Sequence, residues 1–247
     1  MMRHYALIGR TLTHSYSKQL FDAQHFADAD YRLCPMPSLE GLREWVQREG
    51  IDGFNVTNPY KQVLVPLLDD LSPEARAIGA VNCVCVNNGR LTGHNTDAPA
   101  FQQTLSEQLN TKHLALNTAY ILGTAGAAQA VAYALGQMRV PYTFVSRTPE
   151  KHPNAIGYPQ LNTKHLTLNT LLVNATPVGT WPDVDCSPLD LSKFDIQNSK
   201  LLVYDLVYNP SPTLLLRQAA AAGAATCDGL AMLRRQAELS WLLWGIT

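Results

Sequence analysis

The sequence lacks the features that mark several classes of binding protein. It has no long run of like charge, and its 19 basic residues are balanced by 20 acidic ones, for a formal net charge of −1. Binding to a polyanion needs a surplus of lysine and arginine, so we expect no nucleic-acid partner. No apolar run approaches the roughly 18 residues needed to cross a bilayer. The chain starts directly in a strand pattern without a cleavable signal, so we expect a cytoplasmic protein with no membrane partner.

Cysteine is scarce as well. The five cysteines are irregularly spaced and none belongs to a C-x-x-C pair, so we expect free thiols and no metal site. Apolar residues, in contrast, make up 46% of the 247 positions. That content is enough for the core of one large domain or of two modest ones.

The first third of the chain alternates strand and helix patterns. The runs "HYALIG", "YRLCPM" and "GFNVTN" are rich in strand formers and are separated by helical patterns, which predicts a parallel or mixed sheet covered by helices. One helical pattern has Ser38 as its N-cap and Gly50 just past its end. Farther along, Asn88 and Gly89 separate two β-rich runs, which predicts a tight antiparallel hairpin.

A second alternation follows a helix predicted at about residues 98–109. It contains the β-rich runs "AYILG", "YTFVSR", "TLLVNATP" and "LLVYDLVY", and the chain ends in a helical pattern, "DGLAMLRRQAELSWLLWG". These patterns predict an α/β fold with two lobes. A repeat, "NTKHLALNT" at 110–118 and "NTKHLTLNT" at 162–170, leads into a strand of the second lobe each time. Two copies cannot form a solenoid. We interpret the repeat as a surface segment that precedes a parallel strand and occurs twice in the chain.

The stretch "YILGTAGAAQAVAYALG" at 120–136 has the order strand, turn, helix. Dinucleotide-binding turns begin in this way, but their G-x-G-x-x-G fingerprint is present here only as Gly123, Ala125 and Ala128. By itself the stretch fits a cofactor turn without its second glycine, and it equally fits a plain strand that runs into a helix.

Several polar residues lie where strands end, which is where α/β proteins bind ligands. In "GFNVTNPYK", Asn55 and Thr57 share one face of a strand, Pro59 stands at the expected first helical position, and Lys61 follows a turn later. A solvated lysine is the alternative for Lys61, whereas polar residues on a buried strand favour a polar pocket. Asp97 could simply begin a helix. Ser15, Ser17 and Asn82 could likewise be turn and cap residues.

Taken in order, these segments resemble a known family. The motifs "HSYS", "NVTNPYK", "GAVN", "NTD", "NATPVG", "YDLVY" and "DGLAMLRRQ" resemble the motif set of the shikimate dehydrogenase family, over about residues 5–245. The resemblance implies a substrate-binding domain at 1–97 plus 229–247, which the C-terminal helix rejoins, and a Rossmann-like NADP-binding domain at 98–228. It implies reversible, NADPH-dependent reduction of 3-dehydroshikimate to shikimate in aromatic amino-acid biosynthesis, by a monomer or a homodimer.

The resemblance also implies roles for individual residues. Lys61 and Asp97 match the catalytic pair of the family. A ketone that accepts a hydride develops negative charge on oxygen, and an ammonium group can stabilise that charge and supply the proton. The residues implied in substrate binding are Ser15 and Ser17 for the carboxylate and Asn55, Thr57, Asn82, Tyr208 and Gln236 for the ring and its hydroxyls.

The cofactor implied is NADP. Arg147 ends a strand at about the place where an NAD-preferring fold has an acidic residue, and a cation there suits a 2′-phosphate. An exposed basic loop residue is the alternative for Arg147 and for Lys151. The residues implied in cofactor binding are Gly123, Ala125, Gly126 and Ala127 in the turn, Ser146, Arg147, Thr148 and Lys151 after the next strand, Asn174, Ala175 and Thr176 in a later loop, and Gly229 and Met232 near the nicotinamide.

The sequence departs from the family pattern at one relevant place. The turn usually reads G-A-G-G-A, whereas Ala125 here adds a methyl group where the backbone approaches the pyrophosphate. We expect a displaced or weaker phosphate contact. Two alternatives stay open: a relative that acts on quinate or on both acids, and a non-catalytic NADP-binding relative. Ser17 favours shikimate, because a threonine at this position is associated with relatives that use quinate.

Overall fold

The computed structural model describes residues 2–12, 15–166, 169–196 and 200–246. The chain divides into two compact units. Unit one consists of the described residues up to Ala100 together with those from Arg234 onward, and unit two is Phe101–Leu233. Each unit contains a six-stranded sheet with helices, which confirms the predicted α/β class.

Unit one contains a mixed sheet in the order β2-β1-β3-β5-β6-β4. Strand β1 is parallel to β2 and β3, whereas β5 is antiparallel to β3 and β6. Asn88 and Gly89 connect β5 to β6 with φ values of 52° and 75°, so the predicted tight hairpin is confirmed. The strands are β1 (Arg3–Gly9), β2 (Ala29–Pro35), β3 (Ile51–Val56), β4 (Asp70–Leu71), β5 (Cys83–Asn87) and β6 (Arg90–His94).

Both faces of this sheet are buried. Along β1, Ala6 and Ile8 pack into one apolar cluster and Tyr5 and Leu7 into another, as the period of two in a strand requires. The second cluster includes Trp241 of the last helix. The helices that lie wholly or partly in unit one are α1 (Ser17–Asp22), α2 (Leu42–Glu49), α3 (Tyr60–Val63), α4 (Pro73–Ile78), α5 (Asp97–Lys112) and α8 (Leu230–Trp244).

Two predicted helix starts are displaced. Ser38 is not the N-cap of α2, because Gly41 occupies that position with a φ of 70° and the helix begins only at Leu42. The Ser38 hydroxyl instead accepts a long hydrogen bond from the Glu40 amide at 3.4 Å. Pro59 is the residue that precedes α3 rather than its first residue. Gly50, in contrast, ends α2 in the left-handed conformation as predicted.

Unit two contains an all-parallel sheet in the order β12-β11-β10-β7-β8-β9. The carboxyl ends of its strands therefore share one edge. β9 and β12 are three residues long, too short for a periodic pattern, and they are absent from the sequence prediction. The elements are β7 (Thr118–Leu122), α6 (Gly126–Gln137), β8 (Tyr142–Ser146), β9 (Ala155–Gly157), β10 (Thr170–Asn174), β11 (Leu201–Asp205), α7 (Leu214–Ala221) and β12 (Ala225–Cys227).

The two copies of the repeat lead into neighbouring parallel strands. Thr118 and Thr170 occupy equivalent repeat positions and are paired in the register of β7 and β10. The Asn117 amide also donates to the Asn169 carbonyl at 2.8 Å. The local structure differs, because residues 110–112 end α5 whereas residues 163–165 form a 3₁₀ turn. Residues 167 and 168 of the second copy lie outside the described part of the chain.

None of the helices in the described ranges is both long enough and apolar enough to cross a membrane. The same ranges contain no cluster of three or more histidine, cysteine, aspartate or glutamate side chains that could hold a metal ion. All five cysteines lie within the described residues and have free thiols, as predicted.

Candidate active site

A buried ion pair lies in unit one. Lys61 is on the short helix α3 and Asp97 is the first residue of α5, and Lys61 Nζ lies 2.6 Å from Asp97 Oδ2. The two side chains are only 15% and 7% exposed. The alternative of a solvated lysine is therefore wrong. Removing both charges from water is costly unless each has a close partner, and this pair meets that condition.

The carboxylate of Asp97 does not act as a helix cap. Asn95 takes that role, since its Oδ1 accepts a hydrogen bond from the Ala98 amide at 3.1 Å. The second oxygen of Asp97, Oδ1, accepts from Asn82 Nδ2 at 2.9 Å. Asp97 is thus held between one cation and one amide, and its position is set by both.

The ammonium of Lys61 has capacity left for a bound molecule. A lysine has three N–H donors, and the bond to Asp97 is the one hydrogen bond of this side chain among the described residues. A substrate oxygen that gains negative charge could accept from either of the others. The arrangement suits proton transfer by Lys61 with Asp97 as the orienting group.

The amide of Asn55 is almost saturated by its neighbours. Its Nδ2 donates to the Asn82 carbonyl at 3.1 Å and to Ser240 Oγ at 2.9 Å, and its Oδ1 accepts from the Tyr31 hydroxyl at 2.9 Å. Both N–H groups are therefore used inside the protein. Asn55 has only one lone pair of Oδ1 left for a ligand.

Asn82 connects the ion pair to the last helix. Besides Asp97, its Nδ2 donates to Thr96 Oγ1 at 2.9 Å, and its Oδ1 accepts from the Thr96 amide at 2.7 Å. A longer contact of 3.5 Å joins Nδ2 to Gln236 Oε1. The structure thus brings together the predicted residues Asn55, Lys61, Asn82, Asp97 and Gln236.

Three members of this network, Tyr31, Thr96 and Ser240, are absent from the predicted site residues. Ser240 is fully buried on α8 and donates to the Gln236 carbonyl at 2.9 Å while it accepts from Asn55. Burial raises the pKa of Tyr31 well above its usual value, and a hydrogen bond with Ser17 opposes that rise. A serine on the buried face of an amphipathic helix, between Ala237 and Trp241, was the available signal.

The remaining predicted residues of unit one lie in loops after β1 and β3. Ser15 Oγ accepts from the Ser17 amide at 3.3 Å. The Thr57 amide donates to the Ile8 carbonyl at 2.9 Å, and a Cβ on Gly9 would meet Thr57 Cγ2 at 2.5 Å. Because β1 and β3 are parallel neighbours, these hydroxyl groups follow the same edge of the sheet. Thr13 and His14, between β1 and Ser15, lie outside the described residues.

In unit two, the turn between β7 and α6 fits a phosphate group. Gly123 has a φ of 100°, and a Cβ there would meet Thr176 Cγ2 at 3.0 Å, so glycine is required. Ala125 is the N-cap with an ordinary φ of −76° and tolerates its methyl group. Within the described residues, no side chain caps α6 and its first turn has no acidic residue. Its first N–H groups are therefore available to an anion.

The loop after β8 has the predicted cations at its surface. Arg147, Thr148 and Lys151 are exposed, and Ser146 Oγ accepts from the Thr148 amide at 3.1 Å. His152, which the sequence prediction does not include, places Nε2 3.1 Å from Thr124 Oγ1 in the turn. The loop after β8 therefore touches the turn after β7, as expected for neighbouring parallel strands.

The loops after β10 and β11 hold the other predicted residues of unit two. Asn174 is fully buried, Ala175 and Thr176 are half-buried, and the Thr176 amide donates to Asn174 Oδ1 at 3.0 Å. Tyr208 is half-buried and Met232 is 6% exposed. The Gly229 amide donates to the Val207 carbonyl at 3.2 Å, and any Cβ on Gly229 would overlap the Leu206 carbonyl.

Comparison with known proteins decides the family. A model of the shikimate dehydrogenase substrate binding domain matches residues 7–84. The shikimate dehydrogenase (NADP(+)) of Shouchella clausii (strain KSM-K16) is 34% identical over 261 residues, which cover 99% of this chain and 93% of the relative. This chain belongs to the shikimate dehydrogenase family. The resemblance inferred from its motifs is confirmed.

Solved structures of the shikimate dehydrogenase family support the same assignment. Shikimate dehydrogenase 1 from Peptoclostridium difficile is 32% identical with a TM-score of 0.85, over 99% of this chain and 92% of that chain. The shikimate 5-dehydrogenase of Thermus thermophilus, solved in complex with NADP(H) and shikimate, is 34% identical with a TM-score of 0.82, over 98% and 93% of the two chains.

Proposed function

We propose that this chain catalyses the reversible, NADPH-dependent reduction of 3-dehydroshikimate to shikimate. The observation that carries the proposal is the ion pair of Lys61 and Asp97, 2.6 Å apart and largely withdrawn from water. The relatives named above, which it matches over nearly its full length, support the choice of substrate and cofactor. The alternative of a non-catalytic relative is disfavoured. A protein that only binds NADP has no need to keep a buried ion pair beside Asn55, Asn82 and Gln236.

Lys61 has the role of proton donor in this reaction. Bound NADPH supplies the hydride that adds to the carbonyl carbon of the substrate. The carbonyl oxygen then gains negative charge, and Lys61 stabilises that charge and transfers a proton to it. Asp97 orients the ammonium through Oδ2 while Asn82 holds Oδ1. In the reverse direction Lys61 accepts the proton from the alcohol.

Unit one is proposed to bind the substrate. Hydroxyl groups donate to anions, so Ser15 and Ser17 are suited to the carboxylate. Thr57 and Gln236 are proposed to contact the ring hydroxyls. Asn55 and Asn82 contribute mainly by fixing Asp97 and the surrounding network, since their amide N–H groups already have acceptors. A role for Tyr208 in substrate binding stays a prediction.

Unit two is proposed to bind NADP. The backbone N–H groups of Gly126 and Ala127 at the start of α6 suit the pyrophosphate. Arg147 and Lys151 are the cations proposed for the 2′-phosphate, with Ser146 and Thr148 beside them. The further residues proposed to contact the cofactor are Gly123, Ala125, Asn174, Ala175, Thr176, Gly229 and Met232.

The test is an oxidation assay with both candidate acids and both nicotinamide cofactors. The purified chain is mixed with shikimate or quinate and with NADP or NAD, and formation of the reduced nicotinamide is followed by its absorbance. We expect the highest kcat/KM with shikimate and NADP. A higher kcat/KM with quinate would move the proposal to the quinate-using relatives, and no turnover with either acid would refute it.

A further inference from the structure

Asp205, the last residue of β11, is a buried carboxylate to which neither the sequence prediction nor the proposed mechanism gives a role. It is fully buried and accepts from three neutral donors: Thr213 Oγ1 at 2.7 Å, Asn174 Nδ2 at 2.9 Å and the Val207 amide at 3.0 Å. Among the described residues it has no ion pair. Burial raises the pKa of Asp205 to about 6, although these hydrogen bonds lower it. Burying a carboxylate without a cation beside it costs free energy. We therefore look to the groups that bond to Asp205 for its role.

The bond between Asp205 and Asn174 is not needed to pair the strands. The two residues are opposite each other in the register of β10 and β11, and the Leu206 amide already donates to the Asn174 carbonyl at 3.0 Å. What the carboxylate adds is an orientation of the Asn174 side chain, through a bond that is shorter than the 3.3 Å bond from the same Nδ2 to the Val178 carbonyl. A carboxylate can only accept, so it holds the Nδ2 side of the Asn174 amide toward itself.

The oxygen of Asn174 is thereby turned toward the following loop. Its Oδ1 accepts from the Thr176 amide at 3.0 Å and from Thr176 Oγ1 at 2.7 Å. Thr176 Oγ1 in turn accepts from the Val178 amide at 3.2 Å. If the amide of Asn174 were rotated, its N–H groups would face the Thr176 amide and these bonds would be lost.

This 174–176 loop is one wall of the turn that begins α6. The Ala175 amide donates to the Leu122 carbonyl at 3.0 Å, directly before Gly123. Thr176 Cγ2 lies 3.0 Å from the place that a Cβ of Gly123 would take. The position of Thr176 therefore determines the space beside Gly123 where a phosphate would approach the backbone.

We propose that Asp205 is a positioning residue of the dinucleotide site: through Asn174 and Thr176 it holds the 174–176 loop against Gly123, and it thereby sets the affinity for the cofactor without touching it. This inference rests on the proposed use of NADP by unit two. Asp205 is distinct from the residues proposed to contact the cofactor. It bonds directly to one of them, Asn174, and reaches a second, Thr176, through the side chain of Asn174.

The first measurement is the dissociation constant for NADP⁺, obtained by calorimetry on the full chain without substrate. Asp205→Ala should weaken binding about tenfold, the usual effect of removing a hydrogen bond to a charged group. Asp205→Asn keeps an oxygen for both Asn174 Nδ2 and the Val207 amide, and should stay within about twofold of the natural chain. The kcat should change by less than about twofold in both variants, so that the effect is confined to cofactor binding.

Thr213→Val is the matched control. It removes the bond to Asp205 Oδ2 and the cap of α7, where Thr213 Oγ1 also accepts from the Leu216 amide at 3.3 Å, but it leaves Asn174 untouched. We expect a lower melting temperature with an unchanged dissociation constant. If Thr213→Val weakens binding as much as Asp205→Ala, the effect is general loosening and the inference is wrong.

Asp205→Ser replaces the alanine variant if Asp205→Ala does not fold. A serine can accept from the amide two residues later, like Asp205 from Val207, but it is too short to reach Asn174. It should weaken binding about as much as the alanine change, roughly tenfold. Asp205→Ala or Asp205→Ser with natural affinity would overturn the inference.

The outcomes also separate this inference from the proposed function. A natural chain that binds NADP⁺ but does not oxidise shikimate refutes the proposed reaction and leaves the role of Asp205 to be decided by the dissociation constants. A natural chain that does not bind NADP⁺ refutes both.

Discussion

In the part of the chain that the structure describes, each unit buries one carboxylate close to predicted site residues, and the two carboxylates have different surroundings. Asp97 in unit one accepts from a lysine and an amide, and its side chain is 7% exposed. Asp205 in unit two accepts from a hydroxyl and two amides, and it is fully buried. Burial alone therefore does not identify a reactive carboxylate. Asp97 lies beside a lysine ammonium that has further N–H donors for a substrate. The hydrogen-bond donors to Asp205 among the described residues are neutral groups of Thr213, Asn174 and Val207.

The largest effect is expected at the first carboxylate. Lys61→Ala removes the proposed proton donor and should lower kcat for shikimate oxidation by at least about a hundredfold, the low end for general acid-base catalysis. Lys193→Ala is the matched control, because Lys193 pairs with Asp190 at 3.3 Å but is 77% exposed. It should leave kcat unchanged, since exposed ion pairs contribute little to the stability of the fold and Lys193 has no proposed role in the reaction. A loss of less than about tenfold for Lys61→Ala would refute its assignment as proton donor.

The second carboxylate should influence stability rather than turnover. The pKa of Asp205 lies at about 6 in the folded chain, above its ordinary value of 3.8. The folded state therefore binds the proton more tightly, and the free energy of unfolding falls as the pH rises from about 4 to about 6, by ~3 kcal/mol. Asp205→Asn has no such proton. Urea unfolding at about pH 4 and about pH 7 should show that the free energy of unfolding of this variant loses ~3 kcal/mol less over this range than that of the natural chain. An equal loss in the two proteins would contradict the expectation.

A third test concerns the network that holds Asn55 in unit one. Ser240→Ala removes the acceptor of a buried amide N–H, so the free energy of unfolding should fall by about 1–3 kcal/mol. Ser106→Ala is the control: Ser106 Oγ also donates to the carbonyl four residues earlier, at 2.8 Å, and this bond stays within α5. It should cost less than about 0.5 kcal/mol. Equal losses in denaturant unfolding would show that Asn55 does not depend on Ser240.

The smallest effect is expected at the turn of unit two. Ala125→Gly removes the methyl group of the α6 N-cap, an exposed residue in the turn that we propose binds the pyrophosphate. The KM for NADPH should fall by a few-fold at most, because the backbone already has an ordinary φ at this position. An unchanged or higher KM would show that the methyl group does not hinder the cofactor.

Much of the fold could be predicted from local patterns. Asn88 and Gly89 prescribe a tight hairpin, Gly50 ends α2, and the β-rich runs of the second lobe become β7, β8, β10 and β11. The start of α2 could not, because Ser38 was the best cap by residue type whereas a glycine at positive φ precedes the helix in the structure. The repeat shows the same limit: one nine-residue pattern ends a helix in its first copy and forms a 3₁₀ turn in its second.

The amino-acid sequence by itself determined the α/β class, the family and the types of residue that carry the chemistry, because these depend on periodicity and on motifs that are local in the chain. Tertiary structure alone decided which side chains meet. Asn55 and Ser240 are 185 positions apart, and Asp205 and Asn174 are 31 apart. A hydrogen bond depends on distance and angle within a few tenths of an ångström, and only the packed sheets and helices set those. That is why Lys61 and Asp97 could be nominated from motifs, whereas the supporting roles of Ser240 and Asp205 could not.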